Sequence, residues 1–114
     1  MMAFLTGSRV YGTPHEESDT DIVVRVDEQA LSALWAIGDM PCDLNSARDL
    51  GWGHSIRIGP LNIIAVTTDK QYAAWLIGTS ELLKRAPVTK AQAIDHFDRI
   101  FGINQVPSQE PVFQ

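Results

Sequence analysis

The 114-residue sequence predicts a single α+β domain, in which a mixed β-sheet is backed by helices packed on one side of it. Two observations indicate this class. Short runs of apolar and β-branched residues, typical of strands, alternate with longer segments whose apolar residues recur at helical spacing. The hydrophobic content of 45% and the charged content of 20% are those of a folded protein with one core. The domain is expected to span residues 1–102.

Two strands are predicted near the start of the chain. Residues 2–6 form a short apolar run that ends at Gly7 and Ser8, which is the pattern of a buried strand followed by a tight turn. Residues 20–26 are rich in β-branched types and predict the second strand.

A helix should follow the second strand. Asp27 is a suitable N-cap for a segment with apolar residues at helical spacing, which stops at Gly38. This segment predicts an amphipathic helix that packs against the sheet. Residues 39–53 combine a short strand-like piece with turn and cap residues, so their structure stays open.

A β-hairpin is predicted around Gly59 and Pro60. The segment before this pair alternates polar and apolar residues, and the segment after it, 61–67, is almost wholly apolar. Such a run predicts a central strand, because both of its faces must be covered. Arg57 alternates with isoleucines and faces away from them, toward either solvent or a cleft.

Two further helices complete the predicted domain. The first should run from about 69 to 85, capped by Thr68 or Asp69, and the second from 90 to 101, beginning with a capping box. Residues 103–114 have no period and contain two prolines, which predicts a flexible tail.

Charge and cysteine content limit the function classes. A net charge of −5 disfavours general binding to duplex DNA, although a local basic site is compatible with it. Cys42 is the one cysteine, so no intrachain disulfide or cysteine zinc cluster can form, and a cytoplasmic setting is expected. The sequence predicts neither a signal peptide nor a membrane span, because no apolar run is long enough for one.

Two acidic residues at the start of the second strand are the main candidates for chemistry. Side chains alternate across a strand, so Asp19 and Asp21 should point to the same side, roughly 7 Å apart. Two such carboxylates repel each other unless a cation lies between them. Magnesium fits, because it combines one or two protein carboxylates with substrate phosphates and water.

The turn after the first strand supplies a complementary half. Gly7 lacks a Cβ, so a phosphate can approach the backbone closely, and the amides of Ser8 and Arg9 can donate to an anion. The Ser8 hydroxyl and the forked Arg9 guanidinium can add further donors. Together with the acidic pair, these groups predict a site for a metal and a triphosphate.

The stretch GSRVYGTPHEESDTDIVV, residues 7–24, resembles the signature of the DNA polymerase β-like nucleotidyltransferase superfamily. Its Gly-Ser-Arg and Ser-Asp-x-Asp patterns most resemble those of the minimal nucleotidyltransferases. The resemblance implies a polymerase β palm-like fold. It also implies that Asp19 and Asp21 bind magnesium in a two-metal site, and that Gly7 and Ser8 bind a nucleoside triphosphate such as ATP. The implied reaction transfers a nucleoside monophosphate to a hydroxyl acceptor on a protein, an RNA or a small molecule, with release of pyrophosphate.

The same resemblance implies a third carboxylate on a neighbouring strand. Topology favours Asn62, in the second strand of the hairpin, and chemistry favours Asp43, which follows the helix. The two alternatives stay open. An amide carries no charge and cannot act as a base, so Asn62 in this position predicts slow or absent transfer. The alternative function is therefore a catalytically impaired module of the same fold that binds a nucleotide or a partner.

The small size of the domain leaves little surface for a base and an acceptor. Larger members of the superfamily use an additional domain for this purpose. A homodimer or a partner protein is the expected source of the missing surface.

Overall fold

The structure is a computed structural model that describes residues 2–14, 18–43 and 53–101. In these three ranges, the chain forms five strands and four helices. Their order is β1 (Met2–Thr6), α1 (Ser8–Tyr11), β2 (Thr20–Arg25), α2 (Glu28–Ile37), β3 (Asp39–Asp43), β4 (His54–Ile58), β5 (Leu61–Val66), α3 (Asp69–Lys84) and α4 (Lys90–Ile100).

The strands form one mixed sheet with the order β1-β2-β5-β4-β3. Strands β2 and β5 are parallel, and the other neighbours are antiparallel. The predicted hairpin is present as β4 and β5, and its apolar second strand is the central strand of the sheet. Gly59 begins the two-residue turn with φ 59°, a value that glycine adopts readily. The α+β class and the mixed sheet are thus confirmed.

The helices are divided between the two faces of the sheet instead of lying on one side. Alternate residues of β2 and β5 explain the division. Val23 and Ile64 pack with α3 and α4, whereas Val24 and Ala65 pack with residues of α2. Because both faces of these central strands are apolar, each face needs a helical cover.

The predicted helix starts are confirmed by their caps. The Asp27 side chain accepts a hydrogen bond from the Ala30 amide at the start of α2. Thr68, and not Asp69, is the N-cap of α3, and it forms a capping box with Gln71. An equivalent capping box begins α4, as the sequence indicates.

Parts of the sequence prediction lie outside the described residues. The proposed tail, 103–114, is among them, so the boundary at 102 stays a prediction. Within the undecided segment 39–53, residues 39–43 form the edge strand β3, and 44–52 are not described. In the described ranges, every helix is too short or too polar to cross a bilayer.

Candidate active site

A cleft of about 610 Å³ opens on the sheet face that carries α3 and α4. It lies where β1 ends and where β2 and β5 begin. Groups from the turn, the acidic pair, the central strand and α4 share this cleft. Its polar lining includes Gly7, Ser8, Asp19, Asp21, Asn62 and Lys90.

The turn after β1 is in direct contact with one of the acids. Gly7 has φ 86° and ψ −169°, a conformation that is essentially restricted to glycine. A Cβ atom at Gly7 would lie 2.0 Å from Oδ2 of Asp21. The carboxylate therefore occupies the space that a side chain at Gly7 would need, and the turn and the acid form one unit.

Asp19 is held by an arginine from the far strand of the hairpin. Nη1 and Nη2 of Arg57 lie 2.7 Å and 2.8 Å from the two carboxylate oxygens of Asp19. This hydrogen bonding, with the arginine charge, holds the pKa of Asp19 below its ordinary value. Arg9 donates from Nε and Nη2 to the carbonyl of Ser18 and so anchors the residue before Asp19.

Asp21 is more deeply placed than Asp19 and is contacted by the central strand. Nδ2 of Asn62 donates to Oδ1 of Asp21 at 3.1 Å. The Ser55 hydroxyl donates to Oδ1 of Asn62 at 2.5 Å, which orients the amide so that its NH₂ group faces the carboxylate. Burial raises the pKa of Asp21, the Asn62 hydrogen bond opposes this rise, and the Asp19 charge adds to it.

Strand register places Asn62 beside the acidic pair. Asp21 of β2 is level with Asn62 of β5, which is level with Arg57 of β4. The backbone of Asp43 is in β3, level with His54. Three strand spacings separate β3 from β2, or roughly 14 Å at about 4.8 Å per strand. The structure therefore brings Asn62, and not the backbone of Asp43, next to Asp21.

Helix α4 contributes a basic residue that the sequence did not single out. The Val88 amide donates to the Tyr11 carbonyl at 2.8 Å, which ties the connection before α4 to α1. Lys90, the first residue of α4, thereby borders the cleft, and its charge lowers the pKa of Asp21 as a minor contribution. The capping box of α4 predicts where the helix begins, but the position of this helix start near Asp21 depends on the tertiary fold.

The oxygen donors of the cleft match part of what magnesium requires. Among the residues that the structure describes, no three His, Cys, Asp or Glu side chains form a metal-binding group. Asp19 and Asp21 supply carboxylate oxygens, whereas Asn62 turns its N–H toward Asp21. This set fits a hard cation that shares two carboxylates and takes its other ligands from a polyphosphate and water. It does not form a closed protein cage.

The raised pKa of Asp21 predicts a pH-dependent stability difference. Because the pKa in the folded state exceeds the ordinary value of 3.8, ionised Asp21 disfavours folding, and the effect fades as the pH falls through the raised pKa toward 3.8. Asp21→Asn should therefore increase the free energy of unfolding at about pH 7 and have no such effect below 3.8. Urea denaturation at both pH values measures this, and a variant less stable than wild type at neutral pH would contradict it.

The comparisons with known proteins give one match. A family model described as nucleotidyltransferase domain matches residues 2–89 of the chain. The matched segment contains the turn after β1, both acids and the whole sheet, and it ends just before α4. No curated protein and no solved structure matches the chain.

Proposed function

Since the chain belongs to the family of nucleotidyltransferase domains, we propose that it binds a magnesium nucleoside triphosphate in the cleft and transfers the nucleoside monophosphate to a hydroxyl acceptor. One observation carries the proposal. The carboxylate of Asp21 lies directly against the Gly7 turn, so a cation site and a phosphate site share one cleft. The cation site alone, or the phosphate site alone, would bind a magnesium polyphosphate more weakly than the two sites together.

The phosphate half of the site consists of backbone and basic groups. We assign the triphosphate to the Ser8 hydroxyl and to the part of the turn that borders the cleft, because Asp21 itself fills the space beside Gly7. Lys90 adds a positive charge from the opposite wall of the cleft. Arg9 holds the Ser18 carbonyl, and we assign to it the positioning of Asp19 as well as a contribution to the local positive potential.

The metal half of the site consists of Asp19 and Asp21. Magnesium bound there would neutralise the charge that develops on the phosphate oxygens during transfer. Two ions, as the superfamily resemblance implies, would have only two carboxylates and would take their remaining ligands from substrates and water. Asn62 supports Asp21 through its N–H and adds no negative charge.

The transfer itself is a displacement at the α-phosphorus. The acceptor oxygen forms a bond to that phosphorus while the bond to pyrophosphate breaks, and the acceptor proton leaves to a base. The side chains around Asp21 align the triphosphate and exclude part of the surrounding water. Asn62 cannot accept the proton. We assign the proton to water, and the Asp43→Ala variant tests Asp43, whose backbone lies three strands from Asp21.

A second candidate function is a catalytically impaired module that binds a nucleotide or a partner on the same fold. Two observations favour it: an amide is level with Asp21, and Arg57 already pairs with Asp19. Nucleotide binding would survive in such a module because the turn and both acids are retained. Under either function, a second copy or a partner protein would provide the surface for the base and acceptor.

Transfer by wild type and by Asn62→Asp, measured together, separates the two candidate functions, because only the transferase is active before the change. If the protein is a transferase whose rate is limited by the missing third carboxylate, the carboxylate added at position 62 should raise the transfer rate by about tenfold or more. A positioned base commonly raises a rate by a factor of about 10²–10⁴. Transfer is measured with labelled triphosphates and protein, RNA and small-molecule acceptors. Asn62→Ala is the matched control, because it also removes the hydrogen bond to Asp21 but adds no carboxylate.

Asp43→Ala completes this experiment. Robust wild-type transfer that is lost in Asp43→Ala would assign the base to Asp43 and would contradict the impaired-module function. Wild-type binding without transfer, together with activity in Asn62→Asp, would favour the impaired module. Failure of wild-type protein to bind any magnesium triphosphate in calorimetry would contradict both candidate functions.

A further inference from the structure

The pairing of Arg57 with Asp19 is a feature that the proposed reaction does not require. Both terminal nitrogens of Arg57 donate to Asp19, one to each carboxylate oxygen, at 2.7 Å and 2.8 Å. This two-pronged arrangement is the strongest geometry that a guanidinium and a carboxylate can adopt. It joins strand β4 to the residue that precedes β2, across the central strand β5.

The same carboxylate oxygens are the ones that a metal ion would need. Each of these oxygens keeps a second lone pair, but a cation bound there would lie beside the guanidinium and would be repelled by its charge, so binding favours displacement of Arg57. The pair is partly open to water, since the side chains of Arg57 and Asp19 are 42% and 35% exposed. The arginine can therefore move away without opening the core.

We propose that Arg57 is an internal counter-cation of Asp19, which a divalent cation must displace in order to bind, so that Arg57 sets the metal affinity of the site. The inference rests on the proposed role of Asp19 as a metal ligand. In the absence of metal, Arg57 neutralises Asp19 and limits its repulsion with Asp21. When metal binds, Asp19 exchanges one cationic partner for another, and the released guanidinium adds positive charge beside the cleft.

Titration with Mn²⁺ alone, without nucleotide, tests the inference by calorimetry or by the electron paramagnetic resonance of the free ion. Arg57→Gln should bind Mn²⁺ about five- to tenfold more tightly than wild type, because the competing ion pair is gone. Arg57→Lys, which keeps the charge but loses the fork, should lie between the two. In an Asp19→Asn background, Arg57→Gln should produce a much smaller gain, because only the effect of the Arg57 charge on Asp21 remains.

Two controls distinguish displacement from a general change of charge. Arg25→Gln breaks a single-contact ion pair with Asp69, at the other end of β2, and should leave Mn²⁺ affinity unchanged. Lys90→Gln removes a positive charge near Asp21 without touching Asp19, and should produce a smaller gain than Arg57→Gln. Equal affinities for wild type and Arg57→Gln, an equal gain in Lys90→Gln, or an undiminished gain in the Asp19→Asn background would each overturn the inference.

The proposed function is tested separately from this inference. Binding of magnesium triphosphate to wild-type protein decides whether the cleft is a nucleotide site, whatever the Mn²⁺ titrations show. If wild-type protein does not bind magnesium triphosphate but Arg57→Gln shows an Asp19-dependent gain in Mn²⁺ affinity, the proposed function is wrong and the role of Arg57 is supported. If wild-type protein binds magnesium triphosphate but Arg57→Gln shows no gain in Mn²⁺ affinity, the role of Arg57 is wrong and the proposed function is supported.

Discussion

Replacement of both acids, by Asp19→Asn with Asp21→Asn, is expected to abolish magnesium-dependent triphosphate binding and to reduce any transfer by about a hundredfold or more. The physical reason is the loss of both proposed metal ligands from a cleft in which the neighbouring residue, Asn62, is already neutral. Calorimetry with magnesium triphosphate measures the affinity, and the labelled-nucleotide assay measures transfer.

The control for this double variant should change the same number of carboxylates elsewhere. Asp69 and Asp95 are paired with Arg25 and Arg99 at the surface, away from the cleft. Asp69→Asn with Asp95→Asn should therefore retain triphosphate affinity. If the double variant at 19 and 21 binds the magnesium triphosphate as tightly as wild type does, the assignment of the site is wrong.

Gly7→Ala is expected to have the largest effect of any single methyl addition to this site. The residue would have to keep φ 86° and ψ −169° while its Cβ met Oδ2 of Asp21 at 2.0 Å. Backbone strain of this kind costs about 1–3 kcal/mol, and the clash adds to it. We expect the free energy of unfolding to fall by about 3 kcal/mol and triphosphate binding to be lost, as measured by urea denaturation and calorimetry.

Gly59→Ala is the matched control for this substitution. Gly59 also has a positive φ, 59°, but a Cβ there would have no heavy atom within 4 Å. The cost should be limited to the backbone, about 1–2 kcal/mol, with triphosphate binding retained. Equal effects of the two substitutions on binding would show that contact between the Gly7 turn and Asp21 is unimportant.

Local sequence patterns were enough to predict most of the fold. Capping residues fixed the starts of α2, α3 and α4, and the Gly59 turn fixed the hairpin. The almost wholly apolar run after that turn indicated the central strand, and the pairing of this strand with β2 places Asn62 beside Asp21. The topological argument for Asn62 thus matches its position, while its role in catalysis stays a prediction.

Features that depend on register or on distant contacts could not be predicted in this way. Alternation showed that Arg57 faces away from its isoleucine neighbours, but only the pairing of β4 with β5 shows that it faces Asp19. The position of Lys90 likewise depends on the hydrogen bond between Val88 and Tyr11, which are far apart in sequence. The division of helices between the two faces follows from the apolar residues on both sides of β2 and β5.

Helix α4 begins immediately after the segment shared with the family, yet it forms one wall of the cleft. It is anchored through Ala93 and Phe97, which are buried, while Ile94 beside them is 42% exposed and borders the cleft. A substitution at Ile94 would therefore change this wall of the cleft while leaving in place the strands that carry Asp19 and Asp21.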